Sequence, residues 1–377
     1  MPKNSLKILV ITPLFYPEIG GSQKYMEEIY ATMRDRHSDI EVDILCYNTQ
    51  KFSEQQFYRG LNVYRVGGVS ILPGQFALAN PFELIKFLYQ KRKDYDLIHC
   101  NTRFFDSSWW APFLAKIIKR KIILTDHCAF HPVSGNPAVS LIARIIDLTI
   151  VKFCLNFFDQ IFVTNKATQD FYKKVYQKTP KIIYGGTDLA TFQKLPKKSK
   201  RLQVIFVGRM IESKGVLQLF EIAKKLTNID FIFVGPGLLV ERLQLIVNRE
   251  QLGHIKILGG QTKAQVARLM GESDILVNPS FHHEGFPNVL TEAGASKLAV
   301  LATDVGGTRE IVIDQKTGLL IAKNDPLALQ EALNMLIEDK VLRDKLAQQL
   351  YNHVVKNFNW EKVSEELYKQ IKDLLKY

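Results

Sequence analysis

The stretch LPKKSKRLQVIFVGRMIESKG, residues 195–215, decides how the chain folds. Its basic, turn-forming head closes one series of segments, and the apolar run LQVIFV (202–207) opens another. A short run of β-branched and aromatic residues reads as a strand, and GRMIESKG reads as the loop that ends it. Upstream, KILVIT (7–12), IEVDILCY, LIHC, KIILT and QIFVT alternate with segments of helical period such as QKYMEEIYATM. Downstream, FIFV, IKIL, DILV and LAVLAT do the same.

Alternation of this kind predicts an α/β fold, with parallel sheets covered by helices on both faces. Because the pattern runs twice in 377 residues, more than one core usually serves, it predicts two doubly wound, Rossmann-like domains facing across a cleft. The expected boundaries are 1–188, a linker at 189–201, and 202–357. The remaining segment, 358–377, carries Val363, Leu367 and Ile371 at helical spacing and is expected to cross back to the first domain. Ligand loops belong at the carboxyl ends of the strands.

The four cysteines, Cys46, Cys100, Cys128 and Cys154, form no Cys-x-x-Cys pair, which argues against a zinc ribbon or a disulfide framework. A reducing cytoplasm fits them, and export is not expected, because MPKNSLKILVITPLF goes straight from a polar lead into a strand-like run. Fifty basic residues stand against 38 acidic ones, clustered in YQKRKDY (89–95), KIIKRK (116–121) and LPKKSKR (195–201). Such clusters attract anions, among them phosphorylated substrates and the anionic inner face of the plasma membrane. A nucleic-acid partner is not expected, since no cluster carries interleaved aromatics or a known reading module. Residues 138–158 (AVSLIARIIDLTIVKFCLNFF) are apolar around most of a helical circumference. Arg144, Asp147 and Lys152 argue against a membrane span; a buried helix is the first expectation, and a helix touching lipid or a lipid-linked acceptor is the alternative.

In VGRMIESKG (207–215), Arg209 and Lys214 follow a strand, where two cations can neutralise a diphosphate. In HHEGFPNVLTEAG (282–294), Pro287 suits a first helical turn, whose free N–H groups make an anion site. Glu284 stands at the mouth of that turn and Glu292 about one turn inside. Beside a phosphate, carboxylates want hydroxyl partners, as on a ribose and a hexose. A nucleotide-sugar, possessing both, satisfies the whole set.

These residues resemble the retaining GT-B glycosyltransferases of family 4 (glycosyl transferases group 1). The likeness extends over the chain through PEIGGSQKY, TDHCAF, GGTDLATF, DVGGTREIV and TGLLI. The resemblance implies transfer of a hexosyl group from a UDP- or GDP-sugar to an acceptor hydroxyl with retained configuration, without a metal or other cofactor. It implies that Glu292 binds the ribose, Glu284 the transferred sugar, and Arg209 and Lys214 the diphosphate. Gly285, Phe286, Pro287, Asn288, Val289 and Leu290 would contact sugar and phosphate. Gly20 and Gly21 would let the first loop approach the diphosphate, and His127 would donate a hydrogen bond to a sugar hydroxyl. The acceptor is expected to be a saccharide or lipid-linked glycan of the cell envelope, reached by a cytoplasmic, peripheral enzyme. GGTD stands where many relatives have Asn-Gly-Val-Asp, and Asn165 where serine is common.

Two other chemistries leave traces. Asp94-Tyr95-Asp96 has the form of a metal-holding triplet, but it precedes the strand LIHC and so lies at the wrong end of the sheet. Gly235-Pro-Gly237 lacks the third glycine of a dinucleotide loop. The rival functions are a nucleotide-sugar epimerase on the same fold and an inactive basic protein that retains a donor site.

Overall fold

In the computed structural model, which describes residues 5–17, 20–72, 76–132, 136–195, 201–281 and 285–376, the chain forms two compact units. One holds the chain up to Tyr184 together with the terminal segment from Trp360, and the other runs from Gly185 to Asn359.

The first unit contains β1 (Leu6–Ile11), β2 (Ile40–Asn48), β3 (Gln55–Tyr58), β4 (Leu61–Leu72), β5 (Phe76–Ala79), β6 (Leu97–Asn101), β7 (Lys121–Asp126), β8 (Gln160–Val163) and β9 (Lys181–Ile182). They hydrogen-bond in the order β3-β4-β2-β1-β6-β7-β8-β9, with β5 on β4. From β4 to β9 every pairing is parallel. Only β3 and β5 run antiparallel to β4. Parallel strands need crossovers, and the long helical segments between the apolar runs supply them. Successive side chains of β1 serve opposite cores: Ile8 and Val10 join one, Leu9 and Ile11 the other. That double burial is why the strand reads as unbroken apolar sequence.

Helix α1 (Gly21–Arg36) covers one face, packing Met26, Ile29, Tyr30 and Met33 beneath the terminal helix Trp360–Leu375. The stripe Val363, Leu367 and Ile371 is buried in that same core. On the other face lie α2 (Pro81–Lys91), α3 (Ser107–Ile117) and α4 (Pro137–Ile146), which continues through a π-helical turn, Asp147–Val151, into α5 (Lys152–Cys154).

The second unit is a six-stranded parallel sheet of β10 (Gln203–Val207), β11 (Asp230–Val234), β12 (Ile255–Leu258), β13 (Ile275–Asn278), β14 (Ala299–Thr303) and β15 (Leu319–Ile321). Its order is β12-β11-β10-β13-β14-β15. The winding reverses between β10 and β13, so the loops that follow these two strands leave the same edge side by side. The chain passes between units at Tyr184 and Gly185, ahead of the basic turn. Residues 185–195 stay with the second unit because Phe192 is buried and the Leu195 amide donates to the Gly271 carbonyl at 3.0 Å. Residues 196–200 of the expected linker lie outside the described residues.

Residues 138–158 depart from the expected buried helix. Helix α4 has no buried residue, and Leu141, Ile142 and Ile145 turn to solvent at 60%, 57% and 54% exposure. The cause is electrostatic. Arg103 is fully buried and donates to Asp126 and Asp147, both also fully buried. Tyr176 donates to Asp147 at 2.7 Å, and His131 Nδ1 lies 2.6 Å from it. Rotating the helix to bury its apolar stripe would strip Asp147 of these partners and strand the buried guanidinium, at a cost of roughly 3–5 kcal/mol.

Replacing Arg103 with Met leaves two buried carboxylates without their cation. The variant is expected to lose roughly 3–5 kcal/mol of stability, read as a lowered denaturant midpoint of the unit's unfolding transition.

Candidate functional site

In the second unit the carboxyl edge of the sheet gathers three loops. Residues 208–215 follow β10, and a 3₁₀ turn, Glu212–Lys214, carries Lys214. The Ser213 carbonyl accepts the Phe281 amide at 3.1 Å, which ties this loop to the one after β13. Gly215, at φ +69°, closes the turn so near Pro279 that a Cβ would stand 2.1 Å from the Pro279 carbonyl oxygen. Gly235, at φ +137°, lies equally close to the Gly208 carbonyl, at 1.9 Å from an added Cβ, and the Met210 amide donates to the Pro236 carbonyl at 2.7 Å. Gly235-Pro-Gly237 is thus a support for the Arg209 loop. Arg209 itself is exposed and Lys214 half-buried.

The loop after β13 leads into the helix Asn288–Ala295. Pro287 occupies the N-cap, one position before the expected first turn, and no side chain caps the helix. The Leu290 amide donates to the Pro287 carbonyl at 3.0 Å, and no side chain among the described residues caps the amides before it, which suits them to a ligand or water. Leu290 is a core residue with 0% exposure, Val289 is half-buried and Asn288 exposed. Phe286 is held by packing: its ring stands 2.6 Å from where a Cβ on Gly185 would lie and meets Phe358 edge-on at 5.6 Å. Gly285 joins this turn half-buried. Glu284, with His282 and His283, lies outside the described residues.

Glu292 sits one turn into this helix. Burial pushes its carboxyl up to about 7, with the Lys263 ammonium pulling in the opposite direction. Lys263 also lies 3.5 Å from Asp188 of the GGTD segment, whose carboxylate caps the following turn at Ala190 and Thr191. An isolated carboxyl that resists ionisation gains most from a ligand that brings hydroxyl donors.

In the first unit, Gly20 caps α1, and its amide donates to Gln23 Oε1 at 3.2 Å. A Cβ on Gly21 would meet nothing within 4 Å, so packing within the protein does not require glycine there. His127 follows β7, its ring edge-on to Tyr25 at 4.9 Å. Thr12 donates to the Leu14 carbonyl at 3.1 Å, so its oxygen is left to accept Asn101 Nδ2 at 3.2 Å. Asn101 Oδ1 therefore faces His127 Nε2, 3.1 Å away, and that nitrogen carries the proton. Burial lowers the His127 pKa to about 4 although the Asp126 carboxylate raises it. With the proton on Nε2, the neutral ring has Nδ1 as its acceptor.

Arg103 fixes the segment beneath His127, donating to the carbonyls of Cys128 at 2.8 Å and Phe130 at 2.7 Å. Neither Asn101 nor Arg103 was expected to matter, although Asn-Thr-Arg directly after the strand LIHC was the available signal. Asn165 caps the next helix, accepting the Thr168 amide at 2.7 Å, a role serine also performs. Asp96 lies at the amino end of β6, where its carboxylate accepts the Lys7 amide at 3.1 Å, and Asp94 pairs with Lys91 at 3.3 Å. Among the described residues no group of three or more His, Cys, Asp or Glu side chains is arranged to hold a metal ion.

Known proteins resemble this chain throughout. Residues 19–191 match the family described as Glycosyltransferase Family 4, and residues 188–353 match Glycosyl transferases group 1. An uncharacterized glycosyltransferase of Methanocaldococcus jannaschii is 29% identical over 359 residues, 95% of each chain. The phosphatidyl-myo-inositol mannosyltransferase of Mycobacterium leprae is 23% identical over 96% of this chain and 95% of its own. The crystal structure of Anabaena HepE in complex with UDP superposes with a TM-score of 0.78 at 20% identity, covering 98% of this chain and all of that one. HepE has also been solved with UDP-glucose. The architecture is that of GT-B glycosyltransferases.

Glu292→Gln separates stability from ligand binding. The free carboxyl titrates near 4.5 and the folded one near 7. Above the higher value both states are ionised and the burial penalty is complete; below the lower value it vanishes. The substitution is expected to stabilise the ligand-free protein by up to about 3 kcal/mol near pH 8 and by almost nothing near pH 4, compared by denaturant midpoints.

Proposed function

Because the chain belongs to the GT-B glycosyltransferases of family 4, we propose that it moves a hexosyl group from a nucleoside diphosphate sugar to an acceptor hydroxyl with retention of configuration. The observation that carries this reading is the joined pair of loops at the β10/β13 edge: Arg209 and Lys214 on one, an uncapped helix start and Glu292 on the other. Cations and backbone N–H groups suit a diphosphate, and a carboxylate beside them suits the flanking hydroxyl groups. A UDP-sugar is favoured by the likeness to HepE, which binds UDP and UDP-glucose. His127, Gly20, Gly21 and Glu284 serve the same donor in this reading.

In the reaction, the bond between the anomeric carbon and the β-phosphate oxygen breaks, and the acceptor oxygen bonds that carbon from the same face. The acceptor's proton passes to the departing phosphate, so the chain supplies no nucleophile. Negative charge grows on the diphosphate as it leaves. Arg209, Lys214 and the helix start counter it without reorganising, which is the form of stabilisation a fixed site provides. Glu292, ionised once ribose hydroxyls donate to it, holds the nucleoside while the bond breaks. No resident metal takes part, and turnover should withstand EDTA.

The acceptor is a saccharide or lipid-linked glycan at the cytoplasmic face of an anionic membrane. Support comes from the phosphatidyl-myo-inositol mannosyltransferase relative and from the clustered basic residues.

A panel of UDP- and GDP-sugars, scored for nucleotide release with and without lipid-linked acceptors, tests the reading. Acceptor-dependent release is expected. Isomerised sugar formed with no acceptor would replace the transferase by an epimerase. Lys214→Ala should lower kcat/KM by about 30- to 1000-fold, equivalent to roughly 2–4 kcal/mol. Glu292→Gln should abolish turnover while the fold remains intact.

A further inference from the structure

Three helices on one face of the first unit turn apolar side chains to solvent. Helix α2 exposes Phe82 (84%), Ile85 and Tyr89, and α3 exposes Phe113 and Ile117 (76%). The outward stripe of α4 continues through Leu148 and Ile150 to Phe153 on α5. These patches are continuous. The Phe113 ring stands 6.2 Å from Phe153 and 4.8 Å from Phe157, joining α3 to α5. Between α2 and α3 runs a furrow formed by two cavities of about 410 and 540 Å³ that share Ile85, Leu88, Leu114 and Ile117.

Charge on this face has one dominant sign. Residues 81–94, 107–121 and 137–157 carry ten basic side chains and three acidic ones, of which Asp147 is buried against Arg103. Arg92, Lys93 and Arg120 rim the larger cavity above its apolar floor. Among the described residues the buried Arg120 Nε has no hydrogen-bond partner. An apolar surface ringed by lysine and arginine is complementary to lipid chains below a layer of anionic headgroups. A soluble protein surface would bring acidic side chains against the cations, but it does not require apolar side chains from three helices at once. No helix among the described residues is long and apolar enough to cross a membrane, so such a face lies on the bilayer.

We infer that α2, α3 and the α4–α5 segment form the docking face by which this chain binds an anionic lipid bilayer. Leu141, Ile142, Ile145, Phe82 and Ile117 enter the headgroup and acyl boundary, and the lysines and arginines at the rim meet the phosphates. This rests on the reading of a membrane-borne acceptor and deepens it by naming the face. The buried Arg103–Asp147 pair is what turns the α4 stripe outward, so membrane contact is built into the fold.

Flotation with vesicles of phosphatidylcholine alone and of phosphatidylcholine mixed with phosphatidylglycerol tests the inference, at low and high salt. The intact chain should float with the anionic vesicles and lose much of that binding at high salt. A triple variant, Leu141→Gln, Ile142→Gln and Ile145→Gln, should partition about tenfold or more weakly. It should keep the thermal melt and the donor-dependent nucleotide release of the parent, since all three side chains are exposed. Leu238→Gln, an exposed apolar change on the second unit at 92% exposure, should float like the parent. Equal flotation by the triple variant would overturn the docking face and leave the transferase reading untouched. Salt-sensitive flotation that the triple variant loses, in a protein that releases no nucleotide from any donor, would uphold the face and sink the transferase reading. A parent that ignores both vesicles yet self-associates, with a monomeric triple variant, would assign the stripe to a second copy and overturn the inference.

Discussion

Parallel pairing is the constraint on which both units depend. A parallel strand cannot return through a tight turn, so each apolar run must be followed by a helix on a sheet face, and every functional loop must leave from the same edge. In the second unit this rule sets the Arg209–Lys214 loop beside the Asn288–Ala295 helix, because β10 and β13 are hydrogen-bonded neighbours at the point where winding reverses. Residues some seventy positions apart in sequence become parts of one site. Glycines then set the spacing: Gly215 and Gly235 occupy left-handed conformations where neighbouring carbonyl oxygens leave no room for a Cβ.

The first unit solves a different problem, that of holding a histidine in one protonation state. Thr12, Asn101 and His127 form a directed chain that starts at the Leu14 carbonyl and assigns the ring proton to Nε2. Burial keeps the ring neutral. Beneath it, Arg103 reaches Asp126, Asp147 and two loop carbonyls from a position with no solvent contact. A buried ion cluster is costly to assemble, and its return is specificity of orientation. The loop that carries His127 and the helix that carries the outward apolar stripe are both oriented by that one guanidinium.

The segment at His127 and the apolar surface of α4 are thus linked through one buried group. Asp147 turns inward because Arg103 needs it, so the rest of its helix cannot turn its apolar side to the core. A strongly apolar helix in the interior side of a domain would be ordinary; one held outward by a buried charge becomes a surface with a partner to find.

The amino-acid sequence by itself determined the two series of strands and helices, the parallel sheets, the glycosyltransferase family and the cations after β10. These are local facts: period, composition and short motifs survive without knowledge of distant contacts. It placed Glu292 on a helix near the cations, because that helix directly follows a strand. Tertiary structure alone decided the chain crossing at Tyr184, the contact of His127 Nε2 with Asn101, the raised carboxyl of Glu292 and the outward face of α4. Each depends on surroundings far apart in sequence: Phe192 and Gly271 for the crossing, Thr12 and Asn101 for the histidine, burial for Glu292, Arg103 for α4. Burial and charge pairing are properties of what surrounds a residue in space, and residue order carries them only after the chain has folded.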